Sequence, residues 1–157
     1  MNNLKFLGLC LFCYLVCTRV SAQNKASFNS FDNTSKPTLF SQLPDRIAIN
    51  AKELEALFTG AQQPDNLSIQ SADKTFSFSG KLVPAASKYD SKIRTLIIRS
   101  SNFSGATLTL SSSTLPDGTA EYSGRIISFQ HGDILVLQRE KGEYYLIKKN
   151  FRDLVNE

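Results

Sequence analysis

Alternation of apolar and polar residues governs the chain from residue 67 onward and predicts antiparallel strands. In residues 75–83, Phe76, Phe78 and Leu82 fall on one face, while serine, threonine and lysine fall on the other. This period of two is typical of half-buried strands. Comparable segments follow at 92–100, 106–112, 120–130, 133–140 and 143–149. The pattern predicts a meander of consecutive strands.

Turn residues separate these segments. Leu115-Pro116-Asp117-Gly118 predicts a turn, and His131-Gly132 and Lys141-Gly142 stand at two-residue hairpin positions. Glycine supplies the positive φ that such hairpin turns require. Residues 150–155 are predicted to add one closing helical turn.

One helix is predicted near the start of the folded region. A short alternating strand, residues 46–49, leads to Asn50, an N-cap residue with Glu53 three positions later. Leu54, Leu57 and Phe58 form one apolar face over residues 51–59, and Gly60 ends the helix.

Several strands are apolar on both faces, notably residues 96–98, 126–127 and 134–137. A sheet with one face in water would alternate more strictly, so we expect the second face to be covered, by the helix or by the N-terminal segment. The prediction is a mainly β (α+β) fold: a six- or seven-stranded curled antiparallel meander with one N-terminal helix packed on it. A two-sheet β-sandwich is the alternative.

The first 22 residues have the pattern of a secretory signal peptide. Lys5 precedes an apolar run over residues 6–16, and Val20-Ser21-Ala22 supplies small residues for cleavage. The run is about half of the roughly 20 residues that a membrane-spanning helix needs, so we expect no stable membrane span after cleavage. The Ala22-Gln23 junction resembles those of Gram-negative bacterial secreted proteins, which implies a periplasmic or extracellular location.

Residues 23–44 are predicted to form a flexible or loosely docked arm ahead of a single β-rich domain, residues 45–157. The arm is rich in serine, asparagine, threonine and lysine, with Phe28, Phe31 and Phe40 among them. Cleavage after Ala22 removes all three cysteines and lowers the formal net charge from +4 to +2. The mature protein is therefore expected to be free of disulfides.

Candidate catalytic chemistry is sparse, so no catalytic residue, metal site or cofactor is predicted. His131, the one histidine, lies in a predicted exposed turn, and no phosphate-binding glycine motif is present. The low net charge and the lack of a basic-aromatic motif argue against nucleic acid as a partner. Paired carboxylates keep a secreted hydrolase open as an alternative, with these candidates: Glu121, Asp133, Glu140 and Glu143.

A candidate binding loop combines a cation, small polar groups and an aromatic ring. Arg99, Asn102 and Phe103 fall within residues 98–105, and Arg125 lies on a nearby predicted strand. Arginine is favoured where planar anions are held. We therefore predict an exported, non-catalytic binding module whose partner is a cell-envelope protein, a glycan or a small anion. An accessory or inhibitor protein for another exported protein is a further alternative, to be recognised by an arm lying across an exposed edge strand.

Overall fold

The computed structural model describes residues 36–60, 67–84, 88–89 and 92–154. The predicted signal peptide, residues 1–22, lies outside the described residues, as do residues 23–35 of the predicted arm. Among the described residues, no helix is long and apolar enough to cross a membrane.

The described residues are mainly β with one α-helix, which confirms the predicted class. In chain order the elements are β1 (Arg46–Ile49), α1 (Ala51–Gly60), β2 (Leu67–Gln70), β3 (Ser77–Leu82), β4 (Lys88–Tyr89), β5 (Ile93–Ser100), β6 (Ala106–Thr114), β7 (Ala120–Ser128), β8 (Asp133–Glu140), β9 (Glu143–Asn150) and a closing 3-10 turn (Phe151–Leu154).

All of these strands belong to one antiparallel, curled half-barrel sheet. Eight strands follow the order β1-β9-β8-β7-β6-β5-β3-β2, and the two-residue β4 pairs with β5. The strand count thus exceeds the predicted six or seven, and the single sheet rules out the β-sandwich alternative. The two edge strands meet, because Ile49 bridges Ser71 and the Ala72 amide donates to the Ala48 carbonyl at 3.0 Å.

The core lies on the inner face of the curl. Side chains of alternate strand residues meet there with Leu54, Leu57 and Phe58 of α1, so the helix packs on the inner face. Ile127 and Ile134, on the outer face, are buried outside this cluster. The core residues are Phe40, Ile47, Ile49, Leu54, Leu57, Phe58, Leu67, Ile69, Phe76, Phe78, Leu96, Ile98, Ala106, Leu108, Leu110, Tyr122, Ile126, Leu135, Leu137, Tyr144 and Leu146.

The start of α1 has the predicted N-cap, Asn50. The Asn50 side-chain oxygen accepts a hydrogen bond from the Lys52 amide at 3.0 Å, and the Asn50 carbonyl accepts one from the Glu53 amide at 2.9 Å. A capped start satisfies amides that have no partner within the helix. The helix therefore begins directly after β1 and is placed to fill the curl.

The hairpin turn at Lys141-Gly142 is confirmed, with φ of 50° and 89°. The second predicted hairpin turn, at His131-Gly132, is wrong, because β7 already ends at Ser128 and Gly132 does not have a positive φ. Gly132 is buried instead: its amide donates to the Pro37 carbonyl, and its carbonyl accepts from the Phe151 amide.

His131 is half-buried in this longer turn, not exposed as predicted. Its Nδ1 lies 2.8 Å from the hydroxyl of the fully buried Ser128, and its amide donates to the Ser128 carbonyl. Both contacts close the turn between β7 and β8, so the imidazole has a structural partner.

The described part of the predicted arm, residues 36–44, docks against this turn. Phe40 is completely buried, and the Asp133 carboxylate accepts hydrogen bonds from the Leu39 and Phe40 amides, each at 2.7 Å. The Lys148 ammonium also donates to the Leu43 carbonyl. These contacts run to β8 and β9 and not along the edge strands β1 and β2, so the arm position expected for an accessory protein is not seen in residues 36–44.

Candidate functional site

Phe103, predicted as a binding residue, packs against the core. Its ring centroid lies 5.5 Å from that of Phe40, 5.9 Å from that of Phe76 and 6.2 Å from that of Phe78. The ring is half-buried, and it ties the β5–β6 loop to both β3 and residues 36–44. These neighbours give Phe103 a packing role.

Asn102 is likewise occupied by local structure. Its side-chain oxygen accepts a hydrogen bond from the Ser79 amide at 3.1 Å, and its nitrogen donates to the Ser77 carbonyl at 2.7 Å. These backbone groups belong to β3 where it extends past the end of β5. The side-chain amide of Asn102 thus forms the two hydrogen bonds to β3 that a neighbouring strand would otherwise form.

Arg99 and Arg125 are brought together on the outer face of the sheet. Arg99 lies opposite Thr107, and Arg125 lies opposite Thr109. The two arginines are therefore two strands apart and offset by two residues, which places their Cα atoms about 12 Å from each other. We call Arg99, Thr107, Thr109 and Arg125 the outer arginine face.

The guanidinium groups of this face have no partner among the residues that the structure describes. By contrast, Arg46 forms an ion pair with Glu140 at 2.7 Å and stacks 3.6 Å from the Tyr145 ring centroid. Side-chain hydrogen bonds, first to Tyr145 and then to Glu140, raise the pKa of Arg46. Arg99 and Arg125 are exposed and form neither an ion pair nor a ring contact with any described residue.

A second polar group lies on the inner face, where β7 and β8 separate. Their pairing ends at Gly124 and Leu137, so the start of β7 pairs with β6 alone. The Tyr144 hydroxyl accepts the Tyr122 amide at 3.1 Å and thereby replaces a strand partner. We call three cross-strand neighbours at this place the inner row: Arg94 of β5, Ser112 of β6 and Tyr122 of β7.

Aromatic rings surround the inner row. The Tyr122 ring stacks on Phe58 with centroids 6.0 Å apart and meets the edge of Tyr144 at 5.6 Å. The Arg94 guanidinium lies 4.9 Å from the Phe58 centroid. Burial, and secondly the negative charge of Glu55, raises the pKa of Tyr122, so its hydroxyl stays protonated at neutral pH.

Ser112 and Tyr122 were missed as candidate residues. A signal was present in the alternation, because Arg94 shares the phase of Leu96 and Ile98, which places a charged residue on the apolar side of its strand. That Ser112 and Tyr122 stand beside it depends on strand register, which alternation alone does not give.

The four candidate carboxylates do not meet at one place, although Glu140 and Glu143 are direct cross-strand neighbours at the β8–β9 hairpin. Asp133 is buried on the inner face and holds the Leu39 and Phe40 amides, whereas Glu121, Glu140 and Glu143 lie at the opposite ends of their strands. Glu140 is engaged by Arg46, and Glu143 accepts the Tyr145 hydroxyl. Among the described residues, no group of three or more histidine, cysteine or acidic side chains is placed to hold a metal ion.

Comparison with protein-family models, with curated proteins and with solved structures gives no match to this chain. The outer arginine face and the inner row, one on each face of the sheet, are the candidate binding sites.

Proposed function

We propose that the protein is an exported, non-catalytic binding module whose outer arginine face binds an acidic surface of a cell-envelope protein. Export follows from the predicted signal peptide. The observation that carries the proposal is the pair of exposed guanidinium groups, Arg99 and Arg125, which no described acidic residue neutralises. Each offers a planar set of donors that matches a carboxylate in two-pronged fashion.

The surroundings of this pair favour a protein over the other predicted partners. Thr107 and Thr109 separate the arginines on a sheet surface, and half-buried Val136 lies directly opposite Arg125 on β8. Arginine beside apolar residues is characteristic of protein interfaces, where acidic and lysine side chains are depleted.

The test is binding of a glutamate-rich peptide to the full chain, measured by titration calorimetry at low and physiological salt. Replacing both arginines by alanine should weaken binding at least about tenfold, which corresponds to about 1.4 kcal/mol. The double variant Arg99→Lys/Arg125→Lys keeps the charge but loses the two-pronged geometry. Its affinity for the peptide should therefore lie between that of the wild type and that of the double alanine variant.

The matched control is Lys52→Ala, which removes an exposed positive charge from α1. An equal loss of binding in this control would reduce the effect to net charge and contradict the proposal. Preferential binding of chondroitin sulfate would assign the face to a glycan, and binding of inorganic sulfate alone would assign it to a small anion.

A further inference from the structure

We propose that the inner row, Arg94, Ser112 and Tyr122, binds the carboxylate of a small acid with an apolar body. This site is separate from the outer arginine face, because the inner and outer residues of a strand point to opposite sides of the sheet. The proposal therefore does not depend on the function assigned to Arg99 and Arg125.

The main evidence is a pair of hydroxyl groups that have no partner among the described residues and belong to two almost entirely buried residues. Ser112 is 5% exposed and Tyr122 is 7% exposed, and neither hydroxyl forms a hydrogen bond with any described residue. Buried polar side chains in native proteins nearly always have a hydrogen-bond partner. Ser112 and Tyr122 lie side by side on neighbouring strands, and neither hydroxyl has a hydrogen-bond acceptor among the described residues.

The other buried polar side chains of the described residues show how unusual this is. Ser71 donates to Asp73, Ser128 pairs with His131, and Asp133 accepts two backbone amides. Each of them is satisfied within the fold. Ser112 and Tyr122 are the exceptions, and they are direct cross-strand neighbours in the β6–β7 ladder.

Arg94 supplies the charge that selects an anion. Arg94 pairs with Ser112 across the β5–β6 ladder, and Tyr122 pairs with Ser112 across the β6–β7 ladder, so Ser112 lies between the other two. The Cβ atoms of such cross-strand neighbours are about 5 Å apart. The guanidinium covers the Phe58 ring with one face and forms no ion pair with any described residue. Its N–H edge remains available for a carboxylate.

The three side chains offer donors to one oxyanion. The raised pKa of Tyr122 keeps its hydroxyl a donor, and the serine hydroxyl can turn toward the same oxygen atoms. The neighbouring rings of Phe58 and Tyr144 provide an apolar surface for the rest of the ligand. This combination of a few convergent polar groups with aromatic neighbours is typical of small-molecule sites.

The first experiment needs no ligand. Because a buried hydroxyl without a partner is unfavourable, Ser112→Ala and Tyr122→Phe should leave the melting temperature of the full chain unchanged or raise it. Tyr122→Phe keeps the ring that stacks on Phe58, so the fold is retained. A marked decrease in either variant would show that the hydroxyl is already satisfied and would overturn the proposal.

The second experiment is titration of the full chain with benzoate, followed by NMR. Ser112→Ala and Tyr122→Phe should each weaken benzoate binding about fivefold or more, and Arg94→Gln should abolish it. Glu55→Gln should strengthen binding, because Glu55 places a negative charge near the Tyr122 hydroxyl. Ser113→Ala, on the outer side of the same strand, is the matched control and should bind as the wild type does.

Two further ligands define the chemistry. Benzyl alcohol, which lacks the negative charge, should bind more weakly than benzoate. The proposal is wrong if benzoate fails to bind at millimolar concentration, if inorganic phosphate binds better than benzoate, or if Ser113→Ala loses as much affinity as Ser112→Ala.

Discussion

Replacement of Phe103 by alanine is expected to destabilise the fold and not merely to remove a surface contact. The ring lies between residues 36–44 and β3, within 5.5 to 6.2 Å of three other phenylalanine rings measured between centroids. Truncation would leave a cavity at a place where three separate parts of the chain meet.

The expected magnitude follows from burial. Phenylalanine-to-alanine changes in a full core cost about 3–5 kcal/mol, and Phe103 is half-buried, so its transfer and cavity contribution is about half of that. Loss of favourable aromatic pairs adds about 0.5–1.5 kcal/mol. We expect about 2–3 kcal/mol in total, equivalent to a melting temperature lower by about 10 °C in a domain of this size.

The assay is urea unfolding combined with thermal melting of the full chain. Phe103→Leu should recover most of the loss, because it keeps most of the apolar volume. Arg99→Ala is the matched control, since Arg99 is exposed at the end of the preceding strand and should change stability by less than about 0.5 kcal/mol. A change of about 0.5 kcal/mol corresponds to about 2 °C in melting temperature. If Phe103→Ala melts within about 2 °C of the wild type, the packing role is refuted and Phe103 is again a candidate ligand contact.

Two further predictions concern acidic residues. Asp133→Ala should lower the free energy of unfolding in urea by about 3–5 kcal/mol, because the Leu39 and Phe40 amides lose their charged acceptor. The control, Asp153→Ala at an exposed position, should lower it by less than about 1 kcal/mol. Similar losses in the two variants would contradict the structural role of Asp133. Hydrogen bonds, chiefly from the Ser71 hydroxyl, lower the pKa of Asp73 to about 2 from 3.8, so its contribution is present above pH 3.8 and lost as pH falls through 2. Asp73→Asn should therefore flatten the acid decrease in stability between these values, and an unchanged acid profile would exclude this linkage.

The strands and the helix were predictable because each is encoded locally. Alternation with a period of two gave the face of each long strand, and the Asn50 cap with Leu54 and Leu57 gave α1 within one residue of its observed end. The Lys141-Gly142 turn was predictable from Gly142, which supplies the positive φ that a two-residue hairpin turn requires.

Closure of the curl could not be predicted in the same way. The contact between Ile49 and Ser71 joins the two edge strands of the sheet, and no local pattern specifies which strands meet. The His131-Gly132 turn failed for a related reason. The backbone of Gly132 is hydrogen-bonded to Pro37 and to Phe151, and Pro37 is distant in sequence, so long-range contacts and not a positive φ define this turn.

The residue types in the candidate binding loop do not by themselves distinguish a ligand contact from a structural contact. A cation, a small amide and an aromatic residue are equally suited to bind a ligand or to hold a loop on its domain. Asn102 and Phe103 hold the loop because unpaired backbone of β3 and three phenylalanine rings lie within reach. Arg99 and Arg125 have no such neighbours among the described residues, and only register places Thr107 and Thr109 between them.

The two proposed sites lie on the same three strands, β5, β6 and β7, but on opposite faces of the sheet. On β5 and β7, Arg94 and Tyr122 face inward while Arg99 and Arg125 face outward, so a slip of one residue would exchange the two sets. Gly124 opposes such a slip, because a Cβ atom there would lie 2.5 Å from the Thr109 carbonyl oxygen. The close approach of β6 and β7 at this glycine thus fixes the register on which both sites depend. Substitutions on one face should for the same reason leave binding on the other unchanged.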